Sequence, residues 1–226
     1  MDCGSEPFSG ALPAAFSAPV VIAFGSASSG PQILNINQAV PGGALLYLFN
    51  IIVAASPGDA VNVNDLYNGS WTALNGSSVN GTPGVTQSPF CVAAVQTMPA
   101  NAAINVDLTG NVTTSTTVIL MVASGGFTLD TNNEAATTGT GNSPTITNAS
   151  VLQTSELVFG ALGTVGSTTY TESAGFINVV NAPASTGSIG IGYRLNPSPI
   201  GTGQLNYHPT LTGAPLWAAA LDGFIA

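Results

Sequence analysis

The sequence predicts an all-β fold, an antiparallel sandwich or barrel of short strands, on three observations. Only 5% of the 226 residues are charged while 45% are hydrophobic, where ordinary soluble domains carry about 25% charged residues. Thr, Ser, Asn and Gly must therefore cover the surface, and these residues favour turns and strand faces over helix faces. Apolar segments of strand length also recur along the whole chain between Gly, Pro, Asn and Ser clusters. The third observation is the stretch Ala44 to Leu74, where a long apolar run broken only by Asn50 meets the turn cluster Ser56-Pro57-Gly58-Asp59. After that turn Val61, Val63, Leu66 and Trp71 recur among polar residues, and Asn68-Gly69 is a strong hairpin signal. This reads as a buried strand, a turn and a half-buried strand, a core-forming strand pair.

Residues 1–19 hold four prolines or glycines before Pro19 among small residues, with Phe8 and Phe16 as isolated large apolar groups, and read as an extended N-terminal arm. A dangling tail needs no phenylalanines, so the arm is expected to pack on a partner or on its own domain. Residues 20–226 read as one β-sandwich domain. Its strands are expected at Val20–Phe24, Ile33–Val40, the two segments of 44–74, Val85–Val95, Ala103–Leu108 and Thr116–Ala123. Leu34 and Ile36 alternate with Asn35 and Asn37, and Ile104, Val106 and Leu108 share one face. The polar stretch Asp130 to Ser143 is expected to be a long exposed loop crossing between sheets or, alternatively, a domain boundary. Six further strands follow, at Thr145–Ser150, Glu156–Val165, Thr168–Glu172, Ile177–Val180, Ser188–Leu195 and Leu216–Ile225. In the last of these Ala218-Ala219-Ala220-Leu221 has helical propensity, but Trp217, Leu221 and Phe224 suit a closing strand. No fixed repeat period is visible.

Charge excludes one class of partner. Arg194 is the only Lys or Arg against ten Asp and Glu, for a net charge of -9, and one cation cannot neutralise a row of phosphates, so no nucleic acid is expected. No membrane partner is expected either, because the longest apolar run falls short of the roughly 20 residues of a spanning helix. The N-terminus lacks a basic segment followed by an apolar one, so no standard secretory signal is expected.

The segment Val61 to Thr72 resembles the early hairpin of a group of jelly-roll modules found in phage virion proteins and bacterial surface proteins. Glu156 to Ala161 resembles their mid-module strand, Thr171 to Phe176 the turn after it, and Trp217 to Leu221 their closing strand; Asn68-Gly69 stands where Gly-Asn is usual. The resemblance spans 20–226 and implies a jelly-roll-like, or concanavalin-like, antiparallel β-sandwich in a virion or cell-surface role. It implies no shared catalytic set.

The search for chemistry yields few residues. His208, the only histidine, lies between Tyr207 and Pro209 and pairs on paper only with Cys91; a loop histidine is the simpler reading. Glycosidase chemistry needs two carboxyls a few ångströms apart, and Asp59 with Asp65 or Glu156 with Glu172 are the pairs that strands could bring together. Turn and strand-end roles explain these four as well. Asp130, Asn132 and Glu134 offer oxygen ligands at alternate positions, the chemistry Ca²⁺ prefers, though the rest of an EF-hand loop is absent. Tyr67 and Trp71 could form an aromatic platform for a glycan, with a core role for Trp71 as the alternative. Cys3 and Cys91 are the only cysteines. Two free thiols or a disulfide tying the arm to a subunit are both open. Neither catalytic residues nor cofactors are expected. The whole points to a non-enzymatic structural component of a phage or phage-like particle, a capsid-decoration, spike or fibre protein. It would sit on the particle surface as a homo-oligomer contacting other particle proteins through the arm. The alternative is a carbohydrate-binding adhesin.

Overall fold

A computed structural model describes residues 16–27, 30–53, 59–76, 78–80, 85–110, 112, 114–124, 126–148, 155–184, 187–196 and 205–226. The arm residues 1–15, with Cys3 and Phe8, and the predicted turn at 56–58 lie outside this set. The described residues are all-β, as predicted, and contain no helix. Ten strands occupy the first half: β1 (Val20–Ala27), β2 (Gln32–Asn35), β3 (Leu45–Val53), β4 (Ala60–Asp65), β5 (Gly69–Ser70), β6 (Thr72–Ala73), β7 (Val79–Asn80), β8 (Val85–Ala93), β9 (Ala103–Thr109) and β10 (Thr114–Val122). Nine occupy the second: β11 (Thr128–Thr140), β12 (Ile146–Asn148), β13 (Glu156–Thr164), β14 (Tyr170–Thr171), β15 (Ile177–Ala182), β16 (Ser188–Asn196), β17 (Leu205–Tyr207), β18 (Thr210–Leu211) and β19 (Leu216–Ile225).

Strand order in the first half follows from one folded ribbon. β1 pairs with β10, β2 with β9, β3 with β8 and β4 with β5, each pair nested inside the one before and all antiparallel. Rolling that ribbon over itself places β1-β10-β3-β8-β6 in one sheet and β2-β9-β4-β5 in the facing sheet, which is the jelly-roll arrangement. The second half repeats the scheme. β11 pairs with β19, β12 with β17 and β13 with β16, giving the sheet β11-β19-β13-β16-β15 opposite the short ribbons β12-β17 and β14-β18. Where the sequence suggests one sandwich over 20–226 with no repeat, the strand order divides the chain into two nested ribbons, 20–122 and 128–225.

The ribbons stack sheet to sheet. Leu45, Tyr47, Phe49 and Ile51 of β3, with Val118, Leu120 and Val122 of β10, meet Leu157, Phe159 and Ala161 of β13 and Ala218, Ala220 and Phe224 of β19 in a central core. Tyr47 and Phe159 stack across it with ring centroids 4.4 Å apart. The alternate residues face outward into two further cores: Leu46, Leu48 and Ile119 against Leu34, Val61, Val63, Ile104 and Val106, and Val158, Leu162, Ala219 and Leu221 against Tyr170, Leu205, Tyr207 and Leu211. Strands apolar on both faces have no alternation left to show, which is why β3, β10 and β13 read as continuous apolar runs. The interrupting Asn50 is accommodated rather than exposed: its Nδ2 donates to Thr117 Oγ1 at 2.7 Å, and that hydroxyl donates to Gln32 Oε1 at 2.8 Å.

Three expectations change. The two strands of the 44–74 stretch do not pair with each other; β3 and β4 lie in opposite sheets and face across the first core. The hairpin at Asn68-Gly69 is present, but Asp65 pairs with Gly69, so the loop is Leu66–Asn68 and Gly69 takes the left-handed φ of 75°. The exposed loop predicted from Asp130 to Ser143 is the edge strand β11, held by β19 across a register shift between Asp130 and Ala135.

Candidate functional site

The hairpin turn is organised by Asp65. Burial with no cation would penalise its carboxylate, and donors gather on it instead: Tyr67 N at 2.7 Å and Asn68 N at 2.8 Å on Oδ1, Asn68 Nδ2 at 2.9 Å and Trp71 Nε1 at 2.7 Å on Oδ2. Trp71 is thereby committed to the core, 6% exposed with its ring nitrogen inward, so Tyr67 and Trp71 do not form an exposed platform. The half-buried Tyr67 packs against the same core. Asp59 precedes β4 and Asp65 ends it, about 20 Å apart at the rise of a strand, too far for an acid/base pair.

The oxygen ligands proposed for Ca²⁺ do not converge. Asp130 is buried and accepts from Asn132 N at 3.0 Å, Asn132 Nδ2 at 3.1 Å and Asn133 Nδ2 at 3.1 Å. Asn133 Nδ2 also donates to Glu156 Oε1 at 2.5 Å. Glu134 is turned to the other face, beside Gly76 of the first ribbon. Regular alternation would put Asp130 and Glu134 on one face; the register shift between Asp130 and Ala135 separates them, and Asp130 is already supplied with amide donors, so these ligands do not form a Ca²⁺ site. Among the described residues no three His, Cys, Asp or Glu group as metal ligands.

The densest titratable cluster lies on the outer face of the second ribbon. Gly160 and Gly192 stand directly opposite each other on β13 and β16, and Gly190 is next on the same face. A Cβ on Gly160, Gly190 or Gly192 would fall within 2.4 Å of the Tyr207 ring, the Tyr170 ring or the Glu172 carboxylate respectively. The three glycines are the seats of those side chains. Tyr170 OH donates to Val180 O at 2.5 Å and also lies 3.1 Å from Glu172 Oε2, and Ser173 N donates to Glu172 Oε1 at 2.8 Å. The buried Tyr207 hydroxyl approaches the same carboxylate without closing a bond of ordinary length. Burial pushes Glu172 above the usual carboxylate range, partly offset by these donors. The Tyr170 phenol is pushed well up, by burial and by the neighbouring carboxylate. Glu156 starts β13 opposite Asn196, four residues along β16 from Gly192, so about 13 Å of strand separates it from the position over which Glu172 sits. With no second carboxyl beside it, Glu172 lacks the partner that a hydrolytic pair needs.

Cys91 lies fully buried in the central core and is disulfide-bonded. Of the two cysteine readings, a free thiol at Cys91 is therefore corrected, and the chain's one other cysteine is Cys3, outside the described residues. A bonded sulfur in the core also removes the Cys91–His208 pair. His208 is exposed; its N–H donates to Ser173 Oγ at 2.9 Å and its Nδ1 lies 3.0 Å from Thr145 Oγ1. The end of the arm packs on its own chain: Phe16 is in the central core, and Ser17 N donates to Ala123 O at 3.0 Å.

Sequence reasoning missed the buried pair between the ribbons. Tyr47 OH donates to Asp222 Oδ2 at 2.6 Å with both residues fully buried, and burial with the neighbouring Asp222 raises the Tyr47 phenol well above its ordinary value. Glu134 is close enough to add to that shift. Only the stacking of two sheets whose strands lie far apart in sequence creates this contact. The sequence matches no family model, and no curated protein matches it.

Proposed function

We propose that the chain is a non-enzymatic structural component of a phage or phage-like particle, on the particle surface, in the role of a decoration, spike or fibre protein. One observation carries the reading: each ribbon has the jelly-roll strand order, the fold of viral capsid and lectin domains. The step from fold to role is by analogy. The placement of the polar groups agrees with it, since Asp65, Asp130, Glu156, Glu172 and Asp222 all serve hydrogen bonds inside turns and cores. Self-association of such a weakly charged surface would give a homo-oligomer.

The experiment is purification of assembled particles, with quantification of this chain in them and light scattering on the isolated protein. Copurification at a fixed copy number and an oligomer in solution are expected. A monodisperse monomer at high concentration that binds no particle would sink the reading.

A further inference from the structure

The outer face of the sheet β2-β9-β4-β5 carries side chains that no core uses. Asn62 stands directly opposite Asp107, and Asn64 opposite Asn105. Their neighbours Val61, Val63, Ile104 and Val106 point into the first core, so alternation sends all four polar heads outward. Opposite residues are spaced about 5 Å apart and alternate residues about 7 Å, a rectangle on the scale of one pyranose ring. The heads are already oriented. Asn105 Nδ2 donates to Asn64 Oδ1 at 3.1 Å, and Asn64 Nδ2 donates to Asp107 Oδ2 at 3.1 Å. This leaves Asp107 Oδ1, the Asn62 amide and the second Nδ2 hydrogens facing solvent. Ile33 on β2, opposite Asn105 and 64% exposed, adds an apolar contact at the end of the row.

We infer that this face is a binding site for a neutral hexose polymer. Amides and one carboxylate supply both donors and acceptors for hydroxyl groups, and Ile33 suits the C–H side of a sugar ring. Charge selects within that class. The chain carries -9, Asp107 sits inside the quartet and no cation lies on these strands, so uronate, sialylated and phosphorylated glycans are repelled. Four side chains fixed on strands, three of them joined by mutual bonds, meet the ligand with little left to order. The inference stands whether or not the protein belongs to a particle.

The test is affinity electrophoresis through gels containing dextran, mannan or mixed-linkage β-glucan, with alginate as the anionic probe. At least one neutral polysaccharide is expected to retard the protein. Asn62→Ala/Asn64→Ala/Asn105→Ala is expected to weaken that retardation about tenfold or more, whereas Asn206→Ala on β17 keeps it. Asn62→Ala alone, at an exposed side chain, is the second variant should the triple one lose stability, and is expected to weaken retardation in the same direction. Equal retardation of wild type and the folded variants, no retardation by any neutral polysaccharide, or retardation by alginate alone would each overturn the inference.

Discussion

Gly163 is where the stacking of the two ribbons is most open to measurement. It faces the central core from β13, and a Cβ there would lie 2.1 Å from Ile51 Cδ1 and 2.9 Å from both Ile51 Cβ and Cγ1. The end of the isoleucine could swing aside, but its Cβ is fixed to β3, a strand paired on both sides by β10 and β8, and the residue is fully buried. Overpacking of this kind costs about 1–3 kcal/mol, against a gain of about 0.5–1 kcal/mol from replacing glycine inside a strand. Gly163→Ala is thus expected to destabilise by up to about 2.5 kcal/mol net, a drop of up to about 10 °C in melting temperature at this chain length. Ile51→Val removes Cδ1 and alone costs about 0.5–1.5 kcal/mol. In the double variant the costs should not add, since the valine vacates the space the new methyl needs. Thermal unfolding followed by circular dichroism on all four proteins closes the cycle. A Gly163→Ala more stable than the wild type, or additivity within about 0.5 kcal/mol, would refute the close approach of β13 to β3 and with it the shared core.

Tyr47→Phe keeps the ring stack on Phe159 but withdraws the donor from Asp222, and should cost about 1–3 kcal/mol in urea titrations. Stability should fall as pH rises from the ordinary glutamate value of 4.5 toward neutrality, because burial raises both Glu134 and Glu172 above it. The folded state then holds those protons more tightly than the unfolded one, so the contribution is complete at low pH and is lost through the raised folded values. Glu134→Gln/Glu172→Gln should flatten the slope, and an unchanged slope would count against both assignments. The native protein should show no titratable thiol at Cys91, and Cys91→Ala should lose about 2–4 kcal/mol. Thiol titration, with gel mobility under reducing and non-reducing conditions, checks this and separates a bond within the chain from one between chains.

The fold class was legible because it is written locally. Apolar runs of strand length bounded by turn residues place β13 and β19 almost to the residue, and β19 is a strand despite its alanines because Ala218 and Ala220 fill one core while Ala219 fills another. Strand β11 was not legible. Its sequence, TLDTNNEAATTGT, is polar because it is an edge strand, so composition alone makes it look like a loop. The duplication of the ribbon was hidden for a different reason: strand order lives in pairings across many tens of residues, such as β1 with β10, which leave no local trace. The same holds for the polar quartet. Asn62 and Asn64 read as the solvent face of a strand, and only the register places Asp107 and Asn105 beside them.

The central core also sets an order of events on the ribosome. Residues 20–122 hold every strand of the first ribbon, yet a sheet formed from them alone presents Leu45, Tyr47, Phe49, Ile51, Val118, Leu120 and Val122 to solvent as a bare greasy wall. Its cover is not complete until β19 is synthesised about a hundred residues later, a wait of roughly 5–20 s at ordinary elongation rates. The nascent half-molecule is a natural client for a chaperone. A chain stopped at residue 124 should accordingly sediment as aggregate where the full-length protein stays in solution, whereas a soluble, folded fragment would mean that the first ribbon needs no cover.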